Sequence, residues 1–177
     1  MLRFVPNIIT ILRIFLAFAL IPVILNKNFI LALVVFSIAA ISDYLDGYLA
    51  RKFQITSKVG AMLDPLADKL LMFCSYGLFA YEKIISGYVA AIVISRDALI
   101  LLAVLACILR KISIKYRPLM SSKINTTVQL IFIVVVLVCK IMLIQIPWLL
   151  ELLVCGFTIY SGLDYIRAWM KNEFIEQ

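Results

Sequence analysis

Residues 87–123 read GYVAAIVISRDALILLAVLACILRKISIKYRPLMSSK, an apolar run followed by a strongly basic stretch. The run at 87–109 has the roughly 20 residues that a helix needs to cross the hydrocarbon core of a membrane. The basic stretch is typical of a loop that stays in the cytoplasm. This one segment therefore predicts both a membrane-spanning helix and its orientation.

The same pattern recurs along the 177-residue chain, of which 65% is hydrophobic and only 15% charged. Soluble domains carry about 45–50% apolar and about 25% charged residues, so the composition excludes a water-soluble domain. Further apolar runs occupy residues 4–25, 29–50, 59–81, 124–146 and 148–170. Their continuity excludes a closed barrel, in which polarity alternates along each strand. We predict an all-α integral membrane protein, with six transmembrane helices in a single polytopic domain over residues 1–177.

The lysines and arginines at the ends of the apolar runs and between them are unevenly distributed. Eleven lie at the termini and in the loops at 51–58 and 110–123, whereas the opposite loops hold only Lys27, Lys83 and Lys140. The positive-inside rule therefore predicts that both termini are cytoplasmic, and the net charge of +7 needs no nucleic-acid partner. The start of the sequence has no Ser/Arg-rich presequence, which favours a bacterial inner membrane over a mitochondrial one.

Four of the ten acidic residues lie within 26 positions: Asp43, Asp46, Asp64 and Asp68. Each pair is spaced i, i+3 or i, i+4, which places both members on one helical face. The short loop between the second and third helices predicts that these helices are antiparallel neighbours. All four carboxylates are then expected to converge near the membrane surface.

Clustered carboxylates in a membrane span are costly, because like charges repel and the hydrocarbon does not solvate them. A divalent cation is the natural compensation, and an all-oxygen ligand set favours Mg²⁺, Mn²⁺ or Ca²⁺. Four acids can hold two ions in the arrangement used for displacement at phosphorus. The chain has no histidine, so a general base is expected to be a carboxylate or a metal-bound hydroxide.

Small and basic residues complete the pattern, which reads Asp43-x2-Asp46-Gly47-x2-Ala50-Arg51-x8-Gly60-x3-Asp64-x3-Asp68. At every defined position it resembles the signature of the CDP-alcohol phosphatidyltransferase family. The six-span layout extends this resemblance over most of the chain. The resemblance implies that the hydroxyl of an acceptor alcohol displaces CMP from CDP-diacylglycerol.

The resemblance also implies roles for individual residues. The metal ligands would be Asp43, Asp46, Asp64 and Asp68, which would bind two Mg²⁺ or Mn²⁺ ions. Asp68 would also be the general base. The CDP site would contain Gly47, Ala50, Arg51 and Gly60, together with Asn7 and Thr10 of the N-terminal segment PNIITILR at residues 6–13. Each of these residues also has an alternative role. The small residues could serve helix packing, and Asn7 and Thr10 could serve helix entry. Arg51 could anchor the helix at the membrane surface. The family also implies a homodimer in a lipid bilayer.

Two further segments resemble the cardiolipin synthase branch of the family: ISRD at residues 94–97 and SKINTTVQL at residues 122–130. This branch joins CDP-diacylglycerol to phosphatidylglycerol, and Arg96 and Lys123 would contact the acceptor phosphate. A structural ion pair with Asp97 is the alternative role of Arg96. The alternative enzyme is a phosphatidylglycerophosphate synthase, which uses glycerol-3-phosphate and usually carries a second arginine about two turns later. Residues 102–105 hold no cation here, so we expect phosphatidylglycerol as the acceptor.

Two other classes of protein are compatible with acids in membrane spans. A cation transporter would use them as an ion path, and an inactive scaffold would need none of them. Neither class explains the small and basic residues that accompany the four aspartates, and the scaffold would tolerate the loss of an aspartate.

Overall fold

The computed structural model describes residues 5–53, 58–109 and 119–171, with side chains at 11–42, 69–103, 105–107 and 119–171. These residues form six α-helices and no strand, which confirms the predicted all-α fold. The helices are α1 (Val5–Leu25), α2 (Phe29–Phe53), α3 (Lys58–Tyr81), α4 (Gly87–Leu109), α5 (Met120–Ile141) and α6 (Trp148–Met170).

Length and polarity identify the membrane-crossing segments. Within the described residues, Gly87–Cys107, Met120–Ile141 and Trp148–Met170 are each long and apolar enough to span a bilayer. Shorter apolar helical segments cover Ile11–Leu25 and Phe29–Ser42. Large apolar side chains face outward, as they do on a surface that contacts lipid rather than water. The protein is therefore an all-α integral membrane protein, and the orientation of its termini stays a prediction.

The fifth helix differs from its predicted boundaries. It begins at Met120 rather than at residue 124, and it ends at Ile141 rather than at residue 146. Its polar first turn is helical because Ser121 donates a hydrogen bond to Asp164 of α6, and Ser122 accepts one from Arg96 of α4. A hydropathy pattern places these serines outside the span, because it takes no account of hydrogen-bond partners on other helices.

Three turns at one end of the bundle share one geometry. Lys27, Lys83 and Leu143 adopt left-handed φ angles of 56°, 54° and 58°. In each turn the N–H of this residue bonds to the carbonyl three residues earlier, and the next N–H bonds to the carbonyl five residues earlier. This is the Schellman motif, in which glycine is the usual left-handed residue. Leu143 therefore ends α5 earlier than the apolar run suggests.

The helices pack in a closed ring, in the order α1, α2, α5, α6, α4 and α3, with a smaller contact between α3 and α5 across it. α1 packs against both α2 and α3, which have no comparable interface with each other among the described residues. The predicted direct pairing of α2 with α3 is therefore not seen among the described residues. The five peptide units from Phe53 to Lys58 can span about 17 Å, so this short connection does not require adjacency.

Small side chains allow close packing of α1 and α2. Ala17 of α1 and Ala32 and Ala39 of α2 have no exposed surface. In lipid, association depends on such close contact, because apolar residues are equally well solvated by acyl chains. Tyr76 of α3 and Phe132 of α5 stack inside the ring, with ring centroids 6.1 Å apart.

A buried acid accepts two hydrogen bonds at the start of α4. Glu151 of α6 accepts a hydrogen bond from the backbone N–H of Ser86 at 3.1 Å and another from the hydroxyl of Tyr88 at 2.9 Å. The first N–H groups of a helix have no partner within it, and a negative charge is favourable at that end. Glu151 therefore anchors α6 to the start of α4.

Replacing Lys83 with glycine is expected to stabilise the protein. A left-handed conformation costs an L-residue about 1 kcal/mol, and glycine avoids this cost. Thermal unfolding in detergent micelles should therefore give a higher midpoint for Lys83→Gly than for the wild type. Lys83→Ala is the matched control, because it removes the same side chain but keeps the Cβ atom. Equal midpoints for the two variants would contradict the assignment of strain to this turn.

Candidate active site

The four aspartates of the signature lie on continuous helices. Asp43 and Asp46 are in the second half of α2, and Asp64 and Asp68 are in the first half of α3. Because the backbone is helical through these positions, the spacing places each pair on one helical face. Their side chains lie outside the described residues, so their convergence on metal ions stays a prediction.

The helical segments that carry the predicted CDP-binding residues lie at the same end of the bundle. Those residues are Asn7 and Thr10 at the start of α1, Gly47, Ala50 and Arg51 near the end of α2, and Gly60 at the start of α3. The tight turn at residues 26–28 returns the chain from α1 to α2, and α1 packs against α3 as well. The three segments therefore lie opposite the Schellman turns. The side chains of these six residues are also outside the described part.

A buried carboxylate joins two cations on neighbouring helices. Asp97 of α4 has no exposed surface. Its Oδ2 atom lies 2.6 Å from Nζ of Lys69 on α3, and its Oδ1 atom lies 2.7 Å from Nη1 of Arg96 on α4. We call Lys69, Asp97 and Arg96 the ion triplet. The first predicted acceptor residue, Arg96, therefore forms the ion pair that the sequence suggested as its alternative role.

The guanidinium of Arg96 also connects α4 to two other helices. Its Nη2 atom donates to Oγ of Ser122 on α5 at 3.0 Å and to Oγ of Ser161 on α6 at 2.5 Å. The Nε atom is buried without a hydrogen-bond partner among the described residues. The ion triplet and its two serines thus link α3, α4, α5 and α6.

Lys123, the second predicted acceptor residue, lies in the first turn of α5 and is exposed. It directly follows Ser122, which accepts the hydrogen bond from Arg96. The structure therefore brings the first turn of α5 to Arg96. It places Lys123 at the surface and Arg96 in the interior.

A second polar cluster lies between α5 and α6. Thr158 donates to Oδ1 of Asn125 at 3.0 Å and accepts from Nε2 of Gln129 at 3.3 Å, and none of the three residues has exposed surface. The hydroxyl of Tyr76 on α3 donates to the backbone carbonyl of Gln129 at 3.1 Å. This cluster connects α3, α5 and α6 in a region where buried polar groups require partners.

Sequence reasoning missed two buried or half-buried cations. Lys69 directly follows Asp68, and Arg13 of α1 has no exposed surface. Both lie inside helices, away from the loops that the positive-inside rule explains. An ionisable residue within a membrane span is a functional candidate by default, so their positions alone were a usable signal. The hydrogen bonds of Ser161 and Thr158 had no comparable signal in the sequence.

Comparison with known proteins identifies relatives over most of the chain. A profile of the CDP-alcohol phosphatidyltransferases matches residues 3–160. Human cardiolipin synthase (CMP-forming) is 31% identical over 94% of this chain and 63% of its own length. The CDP-diacylglycerol–glycerol-3-phosphate 3-phosphatidyltransferase of Rickettsia felis is 29% identical over 94% of this chain and 95% of its own. The corresponding protein of Aquifex aeolicus is 32% identical over 60% of this chain and 61% of its own.

The chain thus spans less than two thirds of the human relative, but nearly all of the Rickettsia felis protein. The profile match includes every position of the aspartate signature and both helices that carry it. The resemblance inferred from the motifs is confirmed. The chain belongs to the CDP-alcohol phosphatidyltransferase family.

Proposed function

We propose that this protein is an enzyme that transfers the phosphatidyl group of CDP-diacylglycerol to phosphatidylglycerol, forming cardiolipin and CMP. The observation that carries this proposal is the complete aspartate signature, on two helices whose signature-bearing ends lie at the same end of the bundle. Support for the acceptor comes from the human relative, a cardiolipin synthase, and from the two segments at residues 94–97 and 122–130.

The donor set of the signature fits hard divalent cations. Asp43, Asp46, Asp64 and Asp68 offer carboxylate oxygens alone, which favours Mg²⁺ or Mn²⁺ over zinc or copper. Helical backbone through all four positions supports their placement as two pairs, one on a face of α2 and one on a face of α3. When bound, two such ions would neutralise the diphosphate of CDP-diacylglycerol and stabilise the charge that develops during transfer.

Asp68 is the proposed general base. Its carboxylate takes the proton from the acceptor hydroxyl, whose oxygen then forms a bond to the phosphorus of the phosphatidyl group. The bond from this phosphorus to the bridging oxygen breaks, and CMP leaves with the electron pair. The chain has no histidine to compete for this role. Positioned proton transfer contributes typically 10²- to 10⁴-fold to a rate.

Other residues bind and orient the two substrates in this proposal. Gly47, Ala50 and Gly60 allow the nucleotide to approach the helix backbones, and Arg51 pairs with its diphosphate. Asn7 and Thr10 add polar contacts from α1. The exposed Lys123 and the buried Arg96 serve the acceptor phosphate, the lysine by contact and the arginine from within the ion triplet.

We further propose that the active site faces the cytoplasm of a bacterial inner membrane and that the protein is a homodimer. The helix ends that border the two basic segments, at Phe53, Lys58, Leu109 and Met120, lie at the end of the bundle that carries the aspartate signature, which supports a cytoplasmic site. The dimer follows from the family resemblance alone.

A phosphatidylglycerophosphate synthase is the second candidate, because the relatives from Rickettsia felis and Aquifex aeolicus are named CDP-diacylglycerol–glycerol-3-phosphate 3-phosphatidyltransferases. The glycerol-3-phosphate that those names specify is a phosphate monoester dianion, whereas phosphatidylglycerol carries a phosphodiester with one negative charge. Residue 103, two helical turns after Arg96, is an alanine. The lower cation count on this face of α4 favours the phosphodiester.

CMP release from CDP-diacylglycerol in detergent should require a divalent ion and the Asp68 carboxylate. EDTA is expected to abolish release, and added Mg²⁺ or Mn²⁺ to restore it. Asp68→Asn should lower kcat by about 10³-fold, because the amide cannot accept the proton. Glu82→Gln, the same change at the opposite end of the bundle, is the control and should retain activity. Metal-independent release, or no release with either acceptor, would contradict the enzyme proposal and leave a transporter or scaffold.

The identity of the lipid product should decide the acceptor. The purified protein is incubated with CDP-diacylglycerol, phosphatidylglycerol and glycerol-3-phosphate together, and the products are identified by mass spectrometry. We expect cardiolipin as the main product. Phosphatidylglycerophosphate as the main product would instead establish the second candidate.

A further inference from the structure

The ion triplet carries an excess positive charge. Lys69 and Arg96 share the single carboxylate of Asp97, so the three groups together have a net charge of +1. Among the described side chains, no second carboxylate contacts either cation. An uncompensated charge within a membrane span is unfavourable, and it is commonly balanced by a bound counter-ion or by an aqueous cavity. The triplet is therefore a candidate site for an anion.

The two cations of the triplet differ in how much of their bonding capacity is in use. The side chain of Arg96 is 7% exposed, and its two Nη atoms already donate to Asp97, Ser122 and Ser161. The side chain of Lys69 is 23% exposed, and its ammonium group uses one of three N–H bonds on Asp97. Nε of Arg96 also has no partner among the described residues, but it is buried. Lys69 is thus the member of the triplet whose unused donors are accessible to a ligand.

The position of Lys69 in the ring indicates which anion it binds. The proposed CDP-binding residues lie on α1, α2 and the start of α3. The triplet and its serines instead connect α3 with α4, α5 and α6, on the other side of the ring. Lys69 follows Asp68 on α3, one residue or 1.5 Å further along the helix axis from the proposed base. A phosphate on Lys69 would therefore belong to the molecule whose hydroxyl is deprotonated.

We infer that Lys69 binds the phosphate group of the acceptor, and that Asp97 and Arg96 are positioning residues that hold its ammonium group in place. This inference rests on the proposed function, since it names the acceptor-binding residue of that site. Phosphatidylglycerol and glycerol-3-phosphate both carry the phosphate group that the inference requires. Arg96 then acts indirectly, and the contact with phosphate is made by Lys69, which directly follows the last aspartate of the signature.

The direct test is the KM of Lys69→Gln for each substrate. The remaining Arg96–Asp97 pair is neutral, so this variant leaves no unpaired buried charge and is expected to fold. Loss of one charge-assisted hydrogen bond should raise the acceptor KM by about 10- to 100-fold, with little change in kcat or in the KM for CDP-diacylglycerol. Lys69→Arg should recover most of the affinity. Lys27→Gln, a lysine change at the opposite end, is the control for a general charge effect.

The positioning role of Asp97 is tested by a double-mutant cycle. Asp97→Asn should raise the acceptor KM in the wild-type background, because the ammonium group of Lys69 loses its anchor. In the Lys69→Gln background the same change should raise it no further. An unchanged acceptor KM in Lys69→Gln, or an equal rise in the KM for CDP-diacylglycerol, would overturn the inference whether or not Asp97→Asn folds.

A binding measurement separates this inference from the proposed reaction. Thermal unfolding is measured in phosphatidylcholine nanodiscs, with and without phosphatidylglycerol, and separately with sodium glycerol-3-phosphate. At least one of these probes should raise the midpoint of the wild type, and Lys69→Gln should lose that rise. Absence of CMP release would refute the proposed function but leave this readout intact. No rise in the wild type, or the same rise in both proteins, would overturn the anion site.

Discussion

The polar interior of the bundle depends on the ion pairs that the buried carboxylate of Asp97 makes with two cations. This carboxylate accepts from Lys69 of α3 and Arg96 of α4, and the arginine continues to Ser122 of α5 and Ser161 of α6. Removing one partner of a buried ion pair leaves an uncompensated charge and is strongly destabilising. Apolar contacts select neighbours only weakly in lipid, because acyl chains solvate the same side chains equally well. These polar contacts therefore help to decide which helices lie side by side.

The ring order separates two halves of the molecule that share α3. On one side, α1 packs between α2 and α3, so the helices of the aspartate signature are held through a third helix. On the other side, the network around Asp97 joins α3 to α4, α5 and α6. The proposed nucleotide residues belong to the first half, and the proposed acceptor residue, Lys69, faces the second. Asp68, the proposed base, precedes Lys69 on the helix that the halves share, as expected of the group that acts between two substrates.

The helix boundaries could be predicted wherever they coincide with the end of an apolar run, because the cost of burying polar groups in lipid is local. The boundaries of α5 could not. Ser121 and Ser122 join its first turn by bonding to Asp164 and Arg96, and Leu143 ends it in a left-handed conformation that favours glycine. Partners on other helices decided the first boundary, and backbone geometry decided the second.

The sequence by itself determined the membrane class, the number of helices, the family and the four aspartates, since each depends on composition or on spacing along one helix. Helical periodicity fixes which residues share a face, whatever surrounds that face. Tertiary structure alone decided that α1 packs between α2 and α3 and that Lys69 shares the carboxylate of Asp97. These two residues lie 28 positions apart on different helices. Their contact depends on how α3 and α4 pack, and no spacing within a single helix contains that information.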